Sequence, residues 1–173
     1  GEAKAIIEAI EYMRINKKLP YTDICIILFN KSYRAKINDW NSRLYDVHEN
    51  LKLHMGRENI PFSDMTSNDN GQRIHYADRD GVTIISCQSA LGLDFKGVIF
   101  AGLRPMGQKF KTKLLSDLEK DDDQKSLKEE DFLLNINTIY TTCTRAREQL
   151  VIILSEKDKD SIYASLFNKA LFH

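Results

Sequence analysis

The chain carries no surplus of charge of either sign. Lys and Arg number 25 against 25 Asp and Glu, a formal net charge of zero over 173 residues. That balance argues against a strongly basic chain that grips nucleic acid unaided. Cysteine is scarce: Cys25, Cys87 and Cys143 lie far apart, without paired ligand spacing. A disulfide framework or zinc ribbon is excluded, no metal site is expected, and a reducing, cytoplasmic setting fits. No apolar run approaches the roughly 18 residues that span a membrane. No charged-then-apolar start marks a secretory signal, so no membrane partner is expected. No strand is followed by the G-x-G-x-x-G of a dinucleotide fold, and no internal repeat is visible. What remains is an ordinary globular composition, 42% apolar and 29% charged. The length suits one core, and residues 1–173 are read as a single domain.

Within that domain, apolar spacing alternates between two kinds. Ile6, Ile10 and Met13 recur at helical steps, with Lys17, Lys18 and Pro20 closing the helix. Ile24 to Phe29 is a continuous apolar run, suited to a parallel strand buried on both faces. Tyr33, Ile37, Trp40, Leu44, Val47, Leu51 and Met55 predict a long helix, with Ser32 as its cap and Gly56 as its stop. Residues 65–71 are turn-like, and Arg73 to Tyr76 suggests a short strand. Buried strands are expected at Val82–Cys87, Gly97–Gly102 and Leu150–Leu154, and helices at Phe132–Glu148 and Ser161–Leu171. Residues 117–131 hold eight acids and three lysines. They fall in a stretch, 107–131, expected to be a solvated, mobile segment. Helices alternating with apolar strands predict an α/β domain with a largely parallel sheet flanked by helices. His48 and His54 lie six apart, on different helix faces, and are not expected to share a metal.

Ligands of such sheets sit at the carboxyl ends of strands, so the residues that follow strands draw the eye. Two stretches stand out. Ser86-Cys87-Gln88-Ser89-Ala90-Leu91-Gly92-Leu93-Asp94-Phe95 joins two strands with small polar side chains, a glycine and a carboxylate. Exposed N–H groups and hydroxyls there could hold a phosphate, and Asp94 could accept from a sugar hydroxyl. The competing reading is a plain turn at Gly92 capped by Asp94. The second stretch is Asn137 to Arg147. Drawn as a helix, it gathers Phe132, Ile139, Tyr140 and Cys143 within about 60° of Ile136. Thr138, Thr141, Thr142 and Arg145 fall on the opposite side, so an arginine closes a threonine stripe that faces away from the core. A guanidinium forks toward phosphate or carboxylate oxygens and could act as an arginine finger. A surface arginine paired with an acid is the competing reading.

Taken together, the two stretches resemble a known pair of motifs. Val82 to Phe95 resembles motif V of superfamily 1 helicases of the UvrD/Rep/PcrA type, a strand followed by T-x-H-x-x-K-G-L-E-F. Ile139-Tyr140-Thr141-Thr142-Cys143-Thr144-Arg145-Ala146-Arg147-Glu148-Gln149-Leu150 resembles motif VI, Y-V-A-x-T-R-A-x-x-x-L. The order agrees, and the resemblance extends over roughly residues 3–155. It implies the second, carboxyl-terminal RecA-like motor domain of an ATP-dependent DNA helicase or translocase. In that family ATP lies between two RecA-like domains. By position, Arg145 would reach the γ-phosphate as the catalytic arginine. Asp94 would contact the nucleotide sugar, and Gly92 would let the backbone approach. Ser86 and Gln88 would touch a single nucleic-acid strand. The implied ligands are ATP with Mg²⁺, single-stranded DNA (RNA makes the same phosphate contacts) and the first motor domain of the same protein.

The departures are specific. Gln88 stands for the usual His, Asp94 for Glu, and Leu91 for Lys, which removes a charge. No G-x-x-x-x-G-K-[ST] loop is present. The chain is therefore expected to be a piece of a longer protein that does not hydrolyse ATP alone. The missing half would supply the phosphate cradle and most of the Mg²⁺ ligands. The lost lysine at Leu91 also admits a non-catalytic module with a helicase-like fold that binds nucleic acid or protein. An unrelated nucleotide-binding α/β domain is the third possibility.

Overall fold

The computed structural model describes residues 1–29, 39–66, 80–87, 89–90, 92–102 and 137–154, with side chains of the second helix from residue 47 onward. The expected Ser32 cap and the side chains of Tyr33, Ile37, Trp40 and Leu44 lie outside the described residues. So do the Arg73–Tyr76 strand, the 107–131 segment, the start of the 132–148 helix, and the closing helix Ser161–Leu171. The chain forms two compact units. The first comprises Gly1–Leu103 and Thr141–Ile153. The second comprises Arg104–Tyr140 and Leu154–His173, of which only residues 137–140 and 154 are described.

The first unit is built on five strands: β1 (Ile24–Leu28), β2 (Phe62–Asp64), β3 (Val82–Ser86), β4 (Phe95–Ala101) and β5 (Ala146–Ile152). They form one sheet in the order β2-β3-β1-β4-β5, and every pairing is parallel. β1 is central and wholly buried. Its alternate residues Ile24, Ile26 and Leu28 join Val82, Ile84, Ile99 and Ala101 in a core shared with both helices described below. Cys25, Ile27 and Phe29 point the other way and are equally buried, with Phe29 meeting the Phe100 ring edge-on at 6.0 Å. The unbroken apolar run of β1 therefore reflects a strand with two dry faces.

α1 (Glu2–Asn16) buries Ala3, Ile6, Ile7, Ala9, Ile10 and Met13 along one face. Each large side chain removed from water contributes about 1.5–3 kcal/mol. Its first-turn acid, Glu2, accepts the Gly102 N–H at 2.9 Å, tying the helix start to the end of β4. α2 (Asp39–Arg57) packs beside α1 and buries Leu51 and Met55. It does not stop at Gly56. It ends at Arg57, and the left-handed residue is Asn59, at φ 54°. Ile60 N–H returns to the Met55 carbonyl at 2.8 Å and Asn59 N–H to Gly56 at 3.3 Å, with Ile60 and Met55 both buried. This double return bond closes the helix, with Asn serving in place of Gly.

Three strands differ from the sequence reading. β2 was not anticipated: three half-buried residues on an edge, one of them an acid, carry no alternation long enough to read. β5 begins four residues before Leu150 and is not a buried strand. It closes the sheet order, and its residues are half-buried or exposed, with Leu150 at 37%. β4 likewise begins earlier than expected, at Phe95.

The end of β2 is held to α2 by a polar cluster. The buried His48 ring places Nε2 2.9 Å from Asp64 Oδ2. Thr66 donates to Asp64 Oδ1 through its hydroxyl at 2.6 Å and its N–H at 3.1 Å. Lys52 lies 3.7 Å from Asp64 and 2.6 Å from Glu49. Burial alone would raise the Asp64 pKa. The hydrogen bonds from His48 and Thr66 outweigh it and hold the carboxyl down at about 2, against an ordinary 3.8. A depressed acid stabilises the fold above its unfolded pKa and loses that contribution as pH falls through the folded value. The midpoint of urea unfolding is therefore expected to fall more steeply between pH 4 and 2 for the native chain than for Asp64→Asn. Equal slopes would count against the cluster.

Inside the sheet, Thr83 is fully buried, and its hydroxyl finds no hydrogen-bond partner among the described residues. An orphaned buried hydroxyl costs about 1–3 kcal/mol. Thr83→Val keeps the branched shape, so it is expected to stabilise the chain by about 1 kcal/mol, read as a raised denaturant midpoint.

Candidate functional site

The two singled-out stretches meet, but not where the sequence placed them. Residues 137–143 are helical, residues 144–145 turn, and β5 starts at Ala146. The helix expected through Glu148 ends five residues early. Arg145 therefore sits in the turn and not on a helical stripe. The threonine stripe itself is broken. Thr142 is buried at 2%, while Tyr140, expected toward the core, is 71% exposed. Cys143 is half-buried, and burial pushes its thiol up to about 11, so it stays protonated and unreactive.

Strand register decides which residues come together. Leu28 of β1 is level with Ser86 on one side and Ala101 on the other, so Ser86 lies at the carboxyl edge of the sheet. Phe95 precedes Gly97, the partner of Ile24, so Asp94 lies at the opposite, amino edge. Phe95 pairs with Ala146, and Phe95 N–H donates to the Arg145 carbonyl at 2.9 Å. Asp94 and Arg145 are thus side by side at the starts of β4 and β5. The expectation that both stretches crown the carboxyl edge is corrected: of the described site residues, only Ser86 does. The link from Ser86 to Phe95 joins the carboxyl edge of the sheet to its amino edge.

At the carboxyl edge, Ser86 is turned toward its own loop. Its carbonyl accepts the N–H groups of Ser89 (3.1 Å) and Ala90 (3.2 Å), and its Oγ lies 3.2 Å from Ser89 Oγ. Cys87 and Ala90 are buried and anchor this turn. Gln88 and Leu91 lie outside the described residues. Gly92 is exposed at φ 80°, with open space where a Cβ would stand. Its role in the structure is conformational: an L side chain is strained there even without a clash.

At the amino edge, three charges converge. Asp94 Oδ2 accepts an N–H from Arg147 at 3.1 Å, and Arg145 Nη1 stands 3.7 Å from Oδ1. Arg145 is otherwise held by its own turn. Its Nε–H donates to the Thr141 carbonyl at 3.1 Å and an Nη2–H to Thr144 Oγ1 at 3.3 Å. The Arg145 side chain is 22% exposed, Asp94 41% and Arg147 67%. A guanidinium that keeps N–H groups without a partner among the described residues, at a part-exposed edge, can bind a phosphate oxygen, and a carboxylate beside it can accept from a hydroxyl. Arg147 was missed because the sequence reading left it inside a helix. Its signal is the pairing of two arginines across the turn into a strand. Among the described residues, no group of three His, Cys, Asp or Glu could hold a metal ion. No helix among them is long and apolar enough to cross a membrane.

No protein-family model matches the chain, and no curated protein matches it either. Among solved structures, the C-terminal part of the Fun30 ATPase domain superposes with a TM-score of 0.51 at 10% identity. That match covers 97% of this chain and 44% of that one. The C-terminal domain of a possible DNA helicase from Lactobacillus plantarum WCFS1 gives a TM-score of 0.45 at 15% identity, covering 94% of this chain and 74% of that one. At such identities the likeness is one of fold. The all-parallel five-stranded sheet with its helices is an α/β fold of RecA-like type, the class expected from the sequence.

Gly92→Ala tests the turn that carries Asp94. Because only backbone strain opposes it, a loss of about 1 kcal/mol is expected in the unfolding free energy. A neutral result would show that this glycine is not needed for its conformation.

Proposed function

We propose that the chain is the second RecA-like motor domain, residues 1–173, of an ATP-dependent superfamily 1 DNA helicase or translocase of the UvrD/Rep/PcrA type. The observation that carries this reading is the convergence of Asp94 and Arg145, residues 51 positions apart in sequence, at one sheet edge. The motif resemblance assigns them to one nucleotide, and the RecA-like fold shared with part of the Fun30 ATPase domain is consistent with it.

In this reading Arg145 is the catalytic arginine and touches the γ-phosphate of ATP. Its fixed positive charge neutralises negative charge that builds on the transferring group. Asp94 accepts from the sugar hydroxyls, and Gly92 shapes the turn that presents it. Ser86 and Gln88 contact the phosphates of single-stranded DNA. The opposite placement of Ser86 supports two separate contacts, nucleotide at one edge and strand at the other. We assign most of the Mg²⁺ ligands to the first motor domain, as the motif resemblance implies. The partners are then the first motor domain and the DNA strand. Zero net charge is compatible with this, because each domain contributes only one wall of the nucleic-acid path.

One observation favours a second reading, a helicase-like module without catalysis. Two Arg145 N–H groups already bond to the segment just before it, at Thr141 and Thr144. An upstream Walker A loop in the parent reading frame separates the two, since only the motor requires it. In the protein carrying both motor domains, Arg145→Ala is expected to leave ATP binding nearly intact and to slow hydrolysis by roughly a thousandfold or more. Unchanged turnover in that variant rejects the arginine-finger role.

A further inference from the structure

Two guanidinium groups share one carboxylate at the amino edge, and they do not share it equally. Arg147 makes the hydrogen bond to Asp94, at 3.1 Å. Arg145, much the less exposed of the two, stays at 3.7 Å, beyond hydrogen-bond distance. The strand explains the difference. Phe95 pairs with Ala146 and Gly97 with Gln149, so Lys96 alone stands opposite both Arg147 and Glu148. Arg147 therefore occupies a bulge, a device that re-aims a side chain at a sheet edge. Here it is aimed at Asp94.

We propose that Arg147 is a positioning residue for the pair Asp94 and Arg145. By holding Asp94 Oδ2 it keeps the carboxylate from closing onto Arg145, whose remaining N–H groups stay open to an incoming phosphate. The proposal deepens the reading of Arg145 as the phosphate arginine and rests on it. Without Arg147, Asp94 has one guanidinium left within reach among the described residues, and carboxylates pair with guanidinium in a two-pronged geometry. That closure would withdraw both groups from a nucleotide at once. Arg147 touches neither phosphate nor sugar in this scheme and acts only through Asp94.

Two measurements test it. On the 173-residue chain without nucleotide, arginine side-chain ¹⁵N–¹H NMR reads the Arg145 Nε–H directly. Arg147→Ala is expected to move that resonance and slow rotation of the Arg145 guanidinium. Adding Asp94→Asn is expected to return it. In the two-domain protein, Arg147→Ala is expected to lower kcat by about two- to fivefold, the size of a part-exposed charge pair. Arg147→Lys should keep most of the rate, because a point charge still holds Asp94. Asp94→Asn in the Arg147→Ala background should restore kcat while raising KM. An Arg145 resonance that Arg147→Ala leaves unmoved, or that Asp94→Asn does not return, overturns the proposal. So does a normal kcat for Arg147→Ala in a protein that Arg145→Ala inactivates. Hydrolysis indifferent to Arg145→Ala overturns the phosphate-arginine reading instead, and the NMR result then judges the positioning of the three side chains separately.

Discussion

A parallel strand with two neighbours acts as a ruler, and β1 is that ruler here. Ile24 to Leu28 hydrogen-bonds to β3 on one side and β4 on the other. Its five side chains meet no water on either face. A shift of one residue in either pairing would turn apolar side chains from one buried face to the other and break packing on both. The levels of Ser86, Ala101 and, through β4, Phe95 and Ala146 are therefore set by packing around β1. The side chains with chemistry make little contribution to that order. They hang from its two ends.

The two ends differ in kind. At the carboxyl edge, hydroxyls and backbone groups close a compact turn after β3, and the neighbouring strand end is pinned to α2 by His48 and Asp64. At the amino edge, one acid stands between two arginines with a surplus of positive charge, Arg145 partly covered and Asp94 and Arg147 exposed. Charges so placed are screened enough by water to exchange partners, yet close enough to exclude one another's alternatives. A fully buried triad would be locked, and a fully exposed one would exert little pull.

Much of this was legible in the sequence where burial is complete. Ile24–Leu28 reads as a strand because two dry faces demand unbroken apolar residues, and Val82–Ser86 because its β-branched run is buried through Ile85. α1 read as a helix because one face packs and one does not. The parallel α/β class followed from their alternation. The errors fall where burial is partial. β2 is three residues long and half-exposed, so neither alternation nor an apolar run betrays it. At residues 144–148, Thr-Arg-Ala-Arg-Glu suits a helix by local propensity, and pairing with β4 overrides it. That one boundary moved Arg145 from a helix face to a turn and hid Arg147 in a bulge. The motif resemblance names Asp94 and Arg145, and the structure brings these two side chains together at one edge of the sheet. The edge at which they lie was not legible, because it depends on where the link after β3 returns.

That link, residues 87–94, has a mechanical consequence. Parallel strands that follow each other in sequence are more often joined by a dozen or more residues with a helix between. Here eight residues join the end of β3 to the start of β4, with β1 between them, so the two ends lie on a diagonal of roughly 20 Å from strand rise and spacing. Fully drawn out, such a segment reaches only about 30 Å. Part of that reach is already wound into the turns at Ser86–Ala90 and Ala90–Leu93. The segment thus behaves as a short tether with little play, whose two ends cannot drift apart independently. Adding or removing even one residue between Ser86 and Asp94 would have to be absorbed at one edge of the sheet or the other.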